Sequence, residues 1–204
     1  ASSFCSAVFV MAYLFSLDDA VPDLLGLQRE TYLRLCVELR LKPNSAVLRR
    51  FDPDLEPEAP HTYDFADNYL GDAQIRAVGA ALALDRRMEE LILGGNGLRD
   101  NGMVALVQQL KYNPPELKYL DLSSSRFSIV GATALRELVN ICPCLTLVGL
   151  DDTCLDPAFI AKRGFSCDYN KIAGDISQIL NKREEMLQEE EQKQHMQRSE
   201  LTAF

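Results

Sequence analysis

The 204-residue chain holds two histidines, His61 and His195, too far apart in sequence and too poorly accompanied to support a triad. That scarcity removes the usual general base of a catalytic triad. It also starves any zinc site: Cys142-Pro143-Cys144 is the one tempting pair, with no second pair at ligand spacing and no histidine near it in sequence. Basic residues are few as well, 21 against 30 acids, for a net charge of −9. Phosphate backbones and anionic membranes are held by clustered Lys and Arg, so this balance argues against both. A protein partner with a basic or mixed-charge surface is expected instead.

Six cysteines (Cys5, Cys36, Cys142, Cys144, Cys154, Cys167) fall short of a disulfide scaffold in a chain this long. Cys36, Cys142 and Cys154 stand among apolar neighbours, where a free thiol behaves as a small hydrophobe. A reducing, intracellular and cytoplasmic setting is expected. Long apolar runs are missing too. The longest, Phe4 to Leu17, is uncharged for 14 residues, short of the roughly 20 a membrane helix needs. It has neither the basic start nor the clear small-residue cleavage site of a signal peptide. The expectation is a helix buried on most sides, the alternative a docking segment covered by a partner. Gly94-Gly95-Asn96-Gly97 lacks the Gly-Lys-Ser/Thr that a phosphate loop requires. No cofactor or metal is implied.

What is present is a repeat, in a chain whose 47% apolar and 25% charged residues suit one globular domain. The segments Tyr63 to Leu70, Leu91 to Leu98, Leu120 to Phe127 and Val148 to Leu155 align in one column, L-x-L-x-x-N-x-L. Asn68, Asn96, Ser125 and Thr153 follow one another at 28, 29 and 28 residues, the odd residue being the second proline of Asn113-Pro114-Pro115. The second and third copies share a helical half, Gly102, Leu106 and Leu110 answering Gly131, Leu135 and Leu138. Self-similarity at such a period marks a solenoid.

These residues resemble leucine-rich repeats of the ribonuclease-inhibitor-like subclass, over roughly half the chain. The resemblance implies an α/β fold: a right-handed horseshoe segment of about four repeats, each one short strand and one helix, between helical covers. It also implies that Asn68 and Asn96 hydrogen-bond the backbone of their own turn and the adjacent coil. Ser125 and Thr153 depart from the pattern with shorter side chains, which is expected to loosen that ladder toward the C-terminal end. The order Tyr32, Cys36, Leu39, Pro43-Asn44-Ser45, Leu48 is similar to the lead-in of leucine-rich-repeat proteins from cilia, flagella and centrosomes.

Four regions are expected. Residues 1–60 form a helical N-terminal cap and an acidic linker: apolar residues recur at three and four from Leu24 to Leu41, Asn44-Ser45 caps a short helix from Ala46 to Phe51, and the proline-rich Asp52 to Pro60 is neither helix nor strand. Residues 61–157 are the repeats. Residues 158–187 carry a C-terminal cap helix with Ile172, Ile176, Ile179, Leu180 and Leu187 in one apolar stripe. Residues 188–204 are a charged tail, either a helix in solvent or a segment ordered by a partner.

Strand alternation sends Tyr63 and Phe65, Leu91 and Leu93, Leu120 and Leu122, Val148 and Leu150 inward and frees the side chains between them. The freed set contains Asp64, Glu90, Asp121 and Asp151 beside Ile92, Tyr119 and Leu147. These seven are the candidate protein-binding residues, Tyr119 as anchor and the acids for Arg or Lys. The plain alternative is a solvated charged face. With no positioned nucleophile and base, the expected function is a non-catalytic interaction scaffold or a subunit of a cytoskeletal or ciliary assembly. The alternative is regulation of an enzyme or filament in trans, of the GTPase-activating or actin pointed-end-capping kind that similar repeats serve.

Overall fold

The computed structural model describes residues 24–54, 61–158 and 167–202. The apolar segment Phe4 to Leu17 and the linker's residues 55–60 lie outside them. The described chain is a mixed α/β fold with six helices: α1 (Leu24–Glu38), α2 (Ser45–Arg50), β1 (Thr62–Asp64), α3 (Gly71–Leu82), β2 (Glu90–Ile92), α4 (Asp100–Leu110), β3 (Tyr119–Asp121), α5 (Ile129–Ile141), β4 (Leu147–Gly149) and α6 (Cys167–Thr202). The four strands form one parallel sheet in chain order. Thr62 pairs with Glu90, Glu90 with Tyr119 and Tyr119 with Leu147, so the sequence period is also the sheet register.

The central residues Tyr63, Leu91 and Leu120, and with them Phe65, Leu93 and Leu122, are buried against the helical layer. Val148 and Leu150, at the end of the sheet, are only partly covered. After each strand the chain turns through a left-handed residue at one equivalent position: Asp67, Gly95, Ser124 and Asp152, with φ of 55°, 71°, 58° and 58°. The helices α3, α4 and α5 pack side by side on the same face of the sheet through Ile75 and Val78, Met103 and Leu106, and Leu135 and Leu138.

Asn96 ties two coils together. Its Oδ1 accepts from the Asn68 and Leu70 amides, both at 3.1 Å, and its Nδ2 donates to the carbonyls of Phe65 (2.7 Å) and Leu93 (2.9 Å). The expected weakening toward the C-terminal end has a visible counterpart. Among the described residues, Ser125 is buried and its hydroxyl has no hydrogen-bond partner, while the Thr153 hydroxyl reaches only within its own turn, donating to the Leu150 carbonyl at 2.7 Å.

A second set of staples carries no signal in the repeat column. Asp72, in the first turn of α3, accepts from the Arg99 amide at 2.7 Å. Asp100, at the start of α4, accepts from the amides of Ser128 (2.7 Å) and Gly131 (2.9 Å) and from the Ser128 hydroxyl. Gly102 and Gly131 leave room for this: a Cβ on either would come within 2.5 and 2.8 Å of the Asp72 and Asp100 carboxylates. Burial opposes ionisation of Asp100, but the Ser128 and Gly131 hydrogen bonds outweigh it and hold the carboxyl below its ordinary range.

Both ends are covered. Phe51 is fully buried, with ring centroids 6.0 to 6.3 Å from Tyr32, Tyr63 and Phe65, all edge-on. Asn44 caps α2 by accepting from the Ala46 amide at 2.9 Å. Gln28, Tyr63 and Asp85 form a buried polar network, the Tyr63 hydroxyl 2.8 Å from Asp85 and 2.9 Å from the Gln28 amide nitrogen, with His61 Nδ1 2.9 Å from Asp85. At the other end Ile172 and Ile176 of α6 are buried, and Ile179 and Leu180 pack partly against the core. Leu187 corrects the expected stripe: it is 49% exposed, because the body ends before that turn of the helix is reached. Arg183, at the limit of the contact, donates to three carbonyls in the last turn of α5 and the loop after it, Val139 (2.7 Å), Cys142 (3.0 Å) and Leu145 (2.9 Å). The helix then continues to Thr202.

Candidate functional site

The exposed face of the sheet is built from what the core leaves over. Strand alternation buries Tyr63, Leu91 and Leu120 and turns their neighbours outward. The parallel register then sets those neighbours in rows. Thr62, Glu90, Tyr119 and Leu147 form one row, and Asp64, Ile92, Asp121 and Gly149 the next. Asp151 follows β4 two residues beyond Gly149. All seven candidate residues therefore lie on this one face. Asp64, Asp151 and Leu147 are exposed, Leu147 at 61%, and Glu90, Ile92, Tyr119 and Asp121 are half-buried.

The members differ in how free they are. Asp121 lies across the face, its carboxylate filling the space over Gly94 and Gly149, where an added Cβ would come within 2.8 and 2.6 Å of its oxygens. Its Oδ1 also accepts from the Ser123 amide at 2.9 Å and from the Ser123 hydroxyl. Asp64 makes the equivalent contact with the Ala66 amide at 2.9 Å. These two acids close the turns after their strands and face solvent. Asp151 has no such duty to the turn, and Glu90 touches Thr62 at 3.5 Å.

Tyr119 is the electrostatic centre of the group. Partial burial raises its hydroxyl pKa first, and the charges of Asp121, Asp151 and Glu90 raise it further. The phenol is thus a neutral donor among three carboxylates, next to the apolar Leu147 and Ile92. Such a surface can accept a cationic group, with a flat ring and an aliphatic edge for its stem.

The remaining chemistry-bearing groups lie elsewhere. Asp85 is buried with Tyr63, Gln28 and His61 at the N-terminal end, on the core side of β1. Nothing in the repeat column singles Asp85 out, since it stands between α3 and β2 where the copies diverge. Cys142 and Cys144 do not face one another as a pair: the first is buried and the second exposed. Burial pushes the Cys142 thiol up to about 12 and the Cys154 thiol to about 11, so both are unreactive hydrophobes. Among the described residues, no helix is long and apolar enough to cross a membrane. No protein-family model matches the chain, and comparison with curated proteins finds no relative.

Proposed function

We propose that this chain is a leucine-rich-repeat segment of the ribonuclease-inhibitor-like kind, acting as a non-catalytic protein-binding scaffold through the exposed face of its sheet. The repeat reading is supported by the matching sequence period and sheet register, the left-handed turn residue after every strand, and the bridging amide of Asn96. The binding reading is carried by one observation: Tyr119 and the exposed Leu147 adjoin a group of acids that all bear on the same phenol. Aromatic anchors ringed by complementary charge are how interfaces concentrate their affinity. The partner offers Arg or Lys beside an apolar side chain, and an intracellular assembly of cytoskeletal or ciliary type is the setting. Buried, unpaired Cys36, Cys142 and Cys154 suit a reducing compartment.

The test uses a photo-crosslinking residue at position 147, with the exposed position 130 on helix α5 as control. The expected result is a discrete protein adduct at 147 and none at 130, lost when Tyr119→Ala is combined with Asp151→Lys. Asp151 is the better acid to reverse, because Asp121→Lys would also break the turn held by Ser123. Adducts at both positions, or an adduct indifferent to the double variant, would reject this face. A GTP-hydrolysis assay and an actin pointed-end elongation assay on the same protein report the alternative of regulation in trans.

A further inference from the structure

From Glu184 onward α6 stands clear of the body, every residue to Met196 being exposed. At 1.5 Å per residue the exposed stretch from 184 to 196 is about 20 Å long. A helix with so few apolar side chains gains little from its surroundings; here the packed half, through Ile172 and Ile176, supplies the nucleus that the exposed half extends.

Two features of this arm point to what meets it. Its charge is segregated: Glu184, Glu185, Glu189, Glu190 and Glu191 come without a Lys or Arg among them, and Lys193, His195 and Arg198 follow without an acid among them. Its exposed methionines, Met186 at 49% and Met196 at 62%, lie on one stripe with Glu189 and Lys193. The spacing of three, four and three sets these four side chains on one helix face, methionines outside and the charge pair between them. At 100° per residue this stripe is turned by about 100° from the line of Ile172 and Ile176 that grips the body. A second helix can therefore approach it without displacing Ile172 and Ile176 from the body.

We infer that α6 is a self-association arm, pairing antiparallel with α6 of a second copy of this chain. With the twofold axis at Glu191, Met186 faces Met196 and Glu189 faces Lys193, each contact occurring twice. Glu191 itself points away from the seam. A parallel pair would instead set Glu189 on Glu189 and Lys193 on Lys193, so the charge order selects the direction. The two bodies then sit at opposite ends of the paired arms, and both sheet faces stay open. Two methionine contacts and two exposed charge pairs give a reversible, salt-sensitive dimer rather than an obligate one.

Sedimentation velocity on the whole chain tests this, with circular dichroism to verify that each variant keeps its fold. Wild type is expected to associate with rising concentration at low ionic strength and to dissociate in roughly 0.5 M salt, where screening is nearly complete at contact range. Glu189→Lys alone and Lys193→Glu alone each place like charges across the seam and are expected to weaken association about tenfold. A mixture of the two variants is expected to associate again, since each supplies the charge the other needs. Glu189 and Lys193 also approach within one helix, at 3.8 Å, but that contact cannot be restored by mixing two chains. A wild type that stays monomeric throughout overturns the inference. So does association untouched by either variant, or a mixture that remains apart.

Discussion

Single side chains decide how firmly one coil holds the next. Asn96 satisfies amides and carbonyls in two coils, whereas Ser125, in the corresponding position, buries a hydroxyl with no partner among the described residues. A buried polar atom left unpaired costs about 1 to 3 kcal/mol. Ser125→Asn is therefore expected to raise stability by about 1 kcal/mol, read as a higher urea midpoint at unchanged slope. Asp100 works in the opposite sense. Asp100→Asn removes the charge that strengthens the Ser128 and Gly131 amide hydrogen bonds, puts an amide nitrogen where the Ser128 hydroxyl finds an acceptor, and is expected to cost about 1 to 2 kcal/mol at neutral pH. Because folding lowers the Asp100 pKa, its contribution is complete above the ordinary carboxylate range and disappears as pH falls through the lowered value. The gap between wild type and Asp100→Asn should narrow in urea melts on going from pH 7 into that acid range. No narrowing would mean that the carboxylate is not what Ser128 and Gly131 hold.

Residue types tell in advance which of these roles sequence can disclose. Leu93 and Leu122 are visible because they recur at the repeat spacing and each follows a second leucine two residues earlier, two periods that a buried strand satisfies together. Asp72 and Asp100 are not, since an acid in the first turn of a helix is common for its own helix's sake. Only coordinates reveal that each reaches the following coil. The seven face residues were legible for the same reason as the core, being its alternation partners. What alternation does not tell is that Asp121 and Asp64 are engaged in their own turns.

Elements are bounded by what they rest on. The stripe through Ile172, Ile176 and Ile179 was readable as a covering helix, yet the pattern continues to Leu187 while the supporting surface stops at Arg183. Periodicity describes a helix face and says nothing of where the facing partner ends. Arg183 takes up three carbonyls that α5 and the loop after it would otherwise leave unpaired. Arg183→Met keeps the aliphatic stem and removes the donors, and is expected to cost about 1.5 to 3 kcal/mol. Amide exchange should quicken mainly in the last turn of α5. At the other end Phe51→Ala would open a cavity between Tyr32, Tyr63 and Phe65, expected to cost about 3 to 5 kcal/mol. Truncation after Arg183, by contrast, removes a stretch exposed throughout from Glu184 to Met196 and should leave the melting temperature of dilute protein unchanged.

At the scale of the molecule, each strand pairs only with the next one in sequence and each repeat helix packs on its neighbour. Stability in such an arrangement is a chain of neighbour terms closed by two covers. Bonds from coil to coil are richest around Asn96 and poorest around Ser125 and Thr153, so protection against amide exchange should fall from β2 toward β4. Equal protection across all four strands would contradict that picture. The same strand order has a mechanical corollary. Among the described residues nothing joins β1 to β4 directly, so a pull on the two ends loads the seams in series, and the molecule should give way at its weakest seam. That seam is the last one, beside β4, and its release would yield a short extension while the first three strands still hold.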